Sequence, residues 1–348
     1  MKYTDEVKRE LLKCVKAALN GQPVCDAPAE ELLALANSQG LAHLVGDSDS
    51  AMKAVLRTQT RLKALVAIKD CFNKEEIPYI ILKGAKICEL YPENWMRTSS
   101  DLDLLIKAED EKRANDALLN NLKAEFLEKN EHHIGYILEK FHIELHFTLF
   151  SDEDFDAYKN AKRVNEQGFE YELIPNSLCE YLLKHMKKHF MSGGCGLRPM
   201  TDIYLVSRKY DVDCESLAGL DLFNKKVFEF IKHFDNPDLP FSDFDQLVFE
   251  NGIHGTKASV ASAAIAKHGT GINYALKHVF VDYNSMLHMY PWLKGKKYLL
   301  PYAWARYGLN RLFGGHLSNL NEKLNVKDAI DEDNLELTKK VFKELEII

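Results

Sequence analysis

"MRTSSDLDLLI", residues 96–106, decides how this chain is read. Leu102, Leu104, Leu105 and Ile106 mark a strand entering a core, yet Asp101 and Asp103 stand at its mouth. Alternate residues of a strand share a face, so the two carboxylates point together while Leu102 and Leu104 point inward. Carboxylates that close repel each other unless a cation sits between them. A hard divalent ion such as Mg²⁺ takes oxygen ligands of this kind. The competing reading is a solvated strand start.

Upstream, "YIIL" (79–82) is a short buried strand after Pro78, and "ILKGAK" (81–86) runs strand, Lys83, Gly84, helix. Gly84 lets the backbone turn sharply and leaves amides free at a helix start, a place that suits phosphate, with Lys83 adjoining. Many α/β turns need a glycine there without any ligand. Downstream, "FHIELHF" (141–147) puts His142, Glu144 and His146 on one face and Ile143, Leu145 and Phe147 on the other. Glu144 on a neighbouring strand would complete a three-carboxylate cluster with Asp101 and Asp103. A zinc site of two histidines and Glu144 ranks below magnesium, because zinc hydrolases of the HExxH type need histidines at helical spacing. A plain polar sheet face is the third reading.

Around this block the period is helical. Helices are expected over 3–19, 28–38 and 48–76, then over 110–124 on the far side of the DLDLLI strand. "HHIGYILEKFHIELHFTLF" (132–150) reads as two strands joined near Glu139 and Lys140, and "FEYELI" (169–174) as another. From Pro175 the apolar stripes are helical again, over 176–191, 198–210, 215–234 and 241–250, with a final helix at 331–347. The expected architecture is α+β: an N-terminal helical segment (1–76), a small mixed-sheet core (77–174) and a larger C-terminal helical domain (175–348).

A chain of 348 residues that is 46% hydrophobic and 28% charged can bury an ordinary core. Its net charge of −7 argues against a broad nucleic-acid surface, though not against a local basic site. Seven scattered cysteines without a CxxC pair, and no secretory signal, suggest reduced thiols in the cytoplasm. No apolar run is long enough to span a membrane. "LLKHMKKHF" (182–190) and Arg198 and Asp202 of "RPMTDIYL" (198–205) read first as a solvated helix face, although Arg198 could contact a nucleotide phosphate. The basic, aromatic stretch 289–313 reads first as a packing segment, with RNA or a membrane surface as alternatives.

Taken in order, Lys83-Gly84, Arg97 with Ser99 and Ser100, the D-x-D pair and the Glu144 strand resemble the nucleotidyltransferase superfamily that includes DNA polymerase beta. More specifically, 82–106 and "IELH" (143–146), with "FENGIHGT" (249–256) and 289–313, resemble the bacterial uncharacterised nucleotidyltransferase family, related to AbiEii-type toxins and aminoglycoside nucleotidyltransferases. The resemblance spans roughly 30–313. It implies that Asp101, Asp103 and Glu144 bind Mg²⁺, that Glu144 or His146 acts as general base, and that Lys83, Gly84, Arg97, Ser99 and Ser100 hold the phosphates of ATP or another NTP. It implies transfer of NMP, AMP from ATP first, to an acceptor hydroxyl on a small molecule or protein. One departure is Ala85, where the superfamily usually has Ser or Gly; Ser99 or Ser100 would supply the missing hydroxyl. The alternatives are a nucleotide-binding regulator without turnover and a toxin-like tRNA nucleotidyltransferase.

Overall fold

The computed structural model describes residues 3–22, 28–130, 132–150, 155–269, 283, 286–287, 290–313 and 331–348. Three helices precede the sheet: α1 (Asp5–Leu19), α2 (Glu30–Ser38) and α3 (Ser48–Lys74). The Thr4 side chain caps α1, and Leu11, Leu12 and Val15 form its buried stripe. Along α3 the buried positions include Arg61, Leu65, Ile68 and Phe72.

Seven strands follow in one mixed sheet: β1 (Tyr79–Ile81), β2 (Asp101–Ile106), β3 (Glu125–Lys129), β4 (His133–Leu138), β5 (Phe141–His146), β6 (Ala161–Arg163) and β7 (Glu170–Leu173). Their order is β3-β4-β5-β2-β1-β7-β6. The β2–β5 and β1–β7 pairs are parallel, and the others are antiparallel. Strands were expected at β1, β2, β4, β5 and β7. The two unforeseen strands, β3 and β6, lie at the sheet edges, where charged residues such as Glu125, Lys129, Lys162 and Arg163 are tolerated.

Period-two alternation sorts the sheet into two faces. Leu102, Leu104 and Ile106 of β2 join Ile143 and Leu145 of β5 and Ile134 and Tyr136 of β4, and this face packs on Ile68 and Phe72 of α3. Fully burying a side chain of this size stabilises by about 2 kcal/mol. Ala114 of α5 (Glu111–Asp116) and Leu118 close the same layer. The helix expected over 110–124 is shorter: α5 widens into a π turn at Ala117–Asn121, and Lys123 takes a φ of 57°.

The chain divides into two compact units, residues 1–186 with 197–240, and 187–196 with 241–348. The first also contains α4 (Lys83–Ile87), α7 (Leu197–Lys209), α8 (Cys214–Gly219) and α9 (Leu222–Phe230); α6 runs over Pro175–Phe190. The helix expected over 215–234 is two helices, because the Asp221 side chain accepts the Phe223 N–H (2.8 Å) and caps a fresh start. In the second unit, α10 (Asp243–Asn251) and α11 (Lys257–His268) each open on a capping box, Ser242/Asp245 and Thr256/Ser259. At Gly193 a Cβ would stand 2.5 Å from the Ser259 carbonyl oxygen, so only glycine admits that approach. The unit ends with α12 (Leu300–Phe313) and α13 (Glu332–Glu344), the latter packed on α10 and α11. In the aromatic stretch, Met286, Leu293 and Ala303 form a small core, Lys297 lies over the Tyr283 ring and Arg306 over the Tyr290 ring, as a packing segment would. Residue 289 and the side chains of 291 and 308–313 lie outside the described residues.

No helix among the described residues is long and apolar enough to cross a membrane. Six cysteines are free thiols, and Cys25 lies outside the described residues.

Candidate active site

On the face opposite the core, the parallel register of β2 and β5 sets Asp103 directly beside Glu144 and Asp101 beside His142. Asp101, Asp103 and Glu144 each offer an oxygen, and these ligand atoms lie within 4.8 Å of one another. Three acids converge on one point because residues two apart on β2 share a face and β5 repeats the pattern next door.

Asp103 is 1% exposed, and Lys83 Nζ donates to its Oδ1 at 2.6 Å. Burial alone would raise the Asp103 carboxyl, but the Lys83 ammonium and His146 outweigh it and hold the carboxyl well below its usual range. Among the described residues no such cation is in contact with Asp101. Burial and the Asp103 charge push its carboxyl upward, while Ser99 Oγ donates to it at 3.0 Å. Burial opposes the protonated form of His146, but Asp103 (2.9 Å from Nε2) and Glu144 (3.3 Å) outweigh it and raise this imidazole. The cluster is thus short of positive charge on the Asp101 side. An all-oxygen donor set with one acid destabilised by its neighbours fits a hard divalent cation.

Lys83 opens α4 where the chain turns out of β1, with a φ of 46°, a left-handed conformation costly for a side-chain-bearing residue. That turn is pinned from behind, since the Leu82 N–H donates to the Asp103 carbonyl (3.0 Å). Gly84 follows, where a Cβ would come within 3.1 Å of Arg97 Nη1 and 3.2 Å of Ser99 Cβ. Glycine lets the 97–99 segment close over the turn.

Arg97 is turned away from the acids. Its Nε donates to Asp202 of α7 at 2.7 Å, its Nη2 to the same carboxylate at 2.7 Å, and its Nη1 to the Thr98 carbonyl. Tyr91 OH donates to Asp202 as well (2.8 Å). Arg198, one turn earlier on α7, has no carboxylate to itself among the described residues. Its Nη1 donates to Thr98 Oγ1 at 3.3 Å, and its buried Nε meets no acceptor among the described residues. Burial and the neighbouring Arg97 push it down to about 10. Ser100 is exposed, and Arg57 of α3 holds the carbonyls of Ser99 (2.7 Å) and Ser100 (3.2 Å).

The structure therefore gathers Asp101, Asp103, Glu144, His146, Lys83 and Ser99 at one place, with Gly84 behind them. It separates Arg97 into a buried pair and leaves Ser100 on the surface. Sequence reasoning missed His133 of β4, the register partner of His146. It also missed Tyr181 of α6, whose hydroxyl burial, and then the charges of Asp103, Asp101 and Glu144, hold well above its usual range. The alternation in "HHIGYIL" carried a signal for His133; nothing in sequence spacing marks Tyr181.

A mixed sheet that presents such a cluster beside a strand–Lys–Gly–helix turn is the arrangement that the resemblance to nucleotidyltransferases leads one to expect. The profile of the family described as uncharacterised nucleotidyltransferase matches residues 48–220, just under half of the chain. Among solved structures, the antibiotic-resistance factor ANT(2'')-Ia in solution is 12% identical over 51% of this chain and 93% of its own, with a TM-score of 0.35. A crystal structure of ANT(2'')-Ia with adenylyl-2''-tobramycin is 13% identical over 52% and 99%, at 0.34. An antigenic nucleotidyltransferase-like protein from Paracoccidioides brasiliensis is 17% identical over 57% and 95%, at 0.37. No curated protein matches the chain.

Proposed function

We propose that the chain transfers a nucleotide, AMP from ATP, to an acceptor hydroxyl in a reaction that requires Mg²⁺. The observation that carries this reading is the convergence of Asp101, Asp103 and Glu144 within 4.8 Å on one sheet face. These three side chains would hold the magnesium, which when bound neutralises phosphate charge and favours departure of pyrophosphate. Glu144, with His146 beside it, takes the acceptor proton as the hydroxyl oxygen bonds to the α-phosphorus and the bond to pyrophosphate breaks. Lys83 neutralises Asp103 in the absence of other cations and turns to phosphate when the donor is bound. Ser99 and the Gly84 amide face the same donor, with Ser100 at the outer edge.

Arg97 has three of its donor contacts on Asp202 and one on the Thr98 carbonyl, so its part is to position the 97–99 segment. Arg198, which lacks an acid of its own, is the better partner for triphosphate charge. In this reading residues 77–174 carry the chemistry and helical residues from 175 onward contribute to the acceptor side. A net charge of −7 favours a small-molecule or protein acceptor over RNA.

The test is incubation with labelled ATP, Mg²⁺ and cell extract. A labelled acceptor is expected, with Asp103→Ala lowering transfer by at least about a hundredfold. Absence of labelling with any of the four NTPs, together with ATP binding that ignores Mg²⁺, would leave a nucleotide-binding protein without turnover.

A further inference from the structure

The same sheet face carries a second donor set of different chemistry. His133, Glu144 and His146 each present a ligand atom, all within 4.8 Å of one another. His133 and His146 face each other across the β4–β5 ladder, with ring centroids 5.1 Å apart. Two positions further along the ladder, Gly135 pairs with Glu144. A Cβ on Gly135 would lie 3.3 Å from Glu128 Cγ and 3.4 Å from His142 Nε2, so the glycine keeps this patch clear above Glu144. Asn130 Oδ1 accepts the N–H groups of His132 (2.8 Å) and His133 (2.9 Å), which fixes the entry to β4 and the place of the His133 backbone.

Two imidazoles and one carboxylate suit zinc, a borderline-soft cation that takes three protein ligands and leaves a fourth position open. The all-oxygen set of Asp101, Asp103 and Glu144 suits magnesium instead. His142 lies on the same face, yet it is His133, from the next strand, that completes the mixed set. Glu144 belongs to both sets. A carboxylate drawn to a cation at the imidazoles would be withdrawn from the two aspartates, and His146 bound to zinc through Nε2 would give up its contact with Asp103.

We propose that His133, Glu144 and His146 form a zinc site that competes with magnesium for Glu144 and so switches the carboxylate cluster off. The zinc site stands on its own residues; the competition rests on the reading of Asp101, Asp103 and Glu144 as the magnesium site.

The experiment is zinc titration of the full chain against a chromophoric chelator, in Mg²⁺-free buffer and again with added Mg²⁺, with Co²⁺ absorption as a probe of coordination. The wild type should bind one zinc and give low-coordinate Co²⁺ bands. His133→Ala, and His133→Gln as a variant of closer size at this half-exposed position, should weaken zinc by at least about tenfold. Asp101→Ala should keep its zinc affinity. Added Mg²⁺ should weaken zinc binding to the wild type and not to Asp101→Ala. Unchanged zinc affinity in both His133 variants would overturn the site. Equal loss in Asp101→Ala would place the zinc among the acids, and indifference of wild-type zinc affinity to Mg²⁺ would overturn the competition. None of these readouts uses turnover, so a chain that never transfers a nucleotide would refute the function proposed above and leave the zinc result standing.

Discussion

Lys83 concentrates the tension of the site in one residue. Its φ of 46° is held because Nζ reaches the buried Asp103 at 2.6 Å and so neutralises a charge that is 1% exposed. Lys83→Ala keeps the left-handed strain and strips Asp103 of its cation. Lys83→Gly strips the cation as well but relieves the strain. Lys83→Gly is therefore expected to be more stable than Lys83→Ala by about 1 kcal/mol in urea unfolding, with transfer lost in both. The order of the two stabilities is the check: equal values would mean that the turn carries no strain. Much of this site was legible in the sequence. That Asp101 and Asp103 share a face, and that Glu144 shares one with His142 and His146, follows from alternation, since period two fixes a face within a strand; that β5 lies beside β2 does not follow from it. The backbone state of Lys83 was not legible, because a lysine in the left-handed region obeys a contact made 20 residues away.

At the level of elements, the β4–β5 hairpin shows what patterning settles and what it leaves open. The strands and their junction at Glu139 and Lys140 were foreseen from alternation. The turn is two residues long, joins the Leu138–Phe141 pair, and puts Glu139 at φ 51° and Lys140 at φ 64°. That is the conformation Asn-Gly adopts most readily, and both residues here are exposed. Glu139→Asn with Lys140→Gly is expected to stabilise the chain by about 1 kcal/mol, read as a shift of the urea midpoint with an unchanged slope. The elements that escaped the sequence reading did so for physical reasons. β3 is exposed along its whole length and so shows no buried period, and β6 is too short to show one. The break between α8 and α9 is made by a cap at Asp221 inside a stripe that otherwise runs on.

Across the whole first unit, stability and site are tied by a buried charge cluster that local patterns do not show. Arg97 and Asp202 are 105 residues apart, and their bidentate pair joins the segment before β2 to α7, with Arg198 and His43 beside it. Asp202→Ala would leave the Arg97 guanidinium buried and unpaired and is expected to cost about 3–5 kcal/mol in urea unfolding. Arg97→Met with Asp202→Leu should recover most of that loss, because both charges leave together. The same cluster sets an acid limit on the fold. His43 Nε2 lies 2.8 Å from the Met96 carbonyl, and burial, then the nearby Arg198 and Arg97 charges, push its imidazole from 6.5 down to about 4. The unfolded chain takes up this proton as pH falls through 6.5, whereas the folded chain does so only near 4. Protons therefore bind the unfolded state first, and stability must fall between these two values and level off below the lower one. At about 1.4 kcal/mol per pH unit the loss from this group approaches about 3 kcal/mol. His43→Gln keeps a donor for the Met96 carbonyl and cannot titrate. Urea unfolding at pH 7 and pH 4.5 should show the wild type losing more stability than His43→Gln over that interval, and equal losses would mean that the imidazole is protonated in the fold.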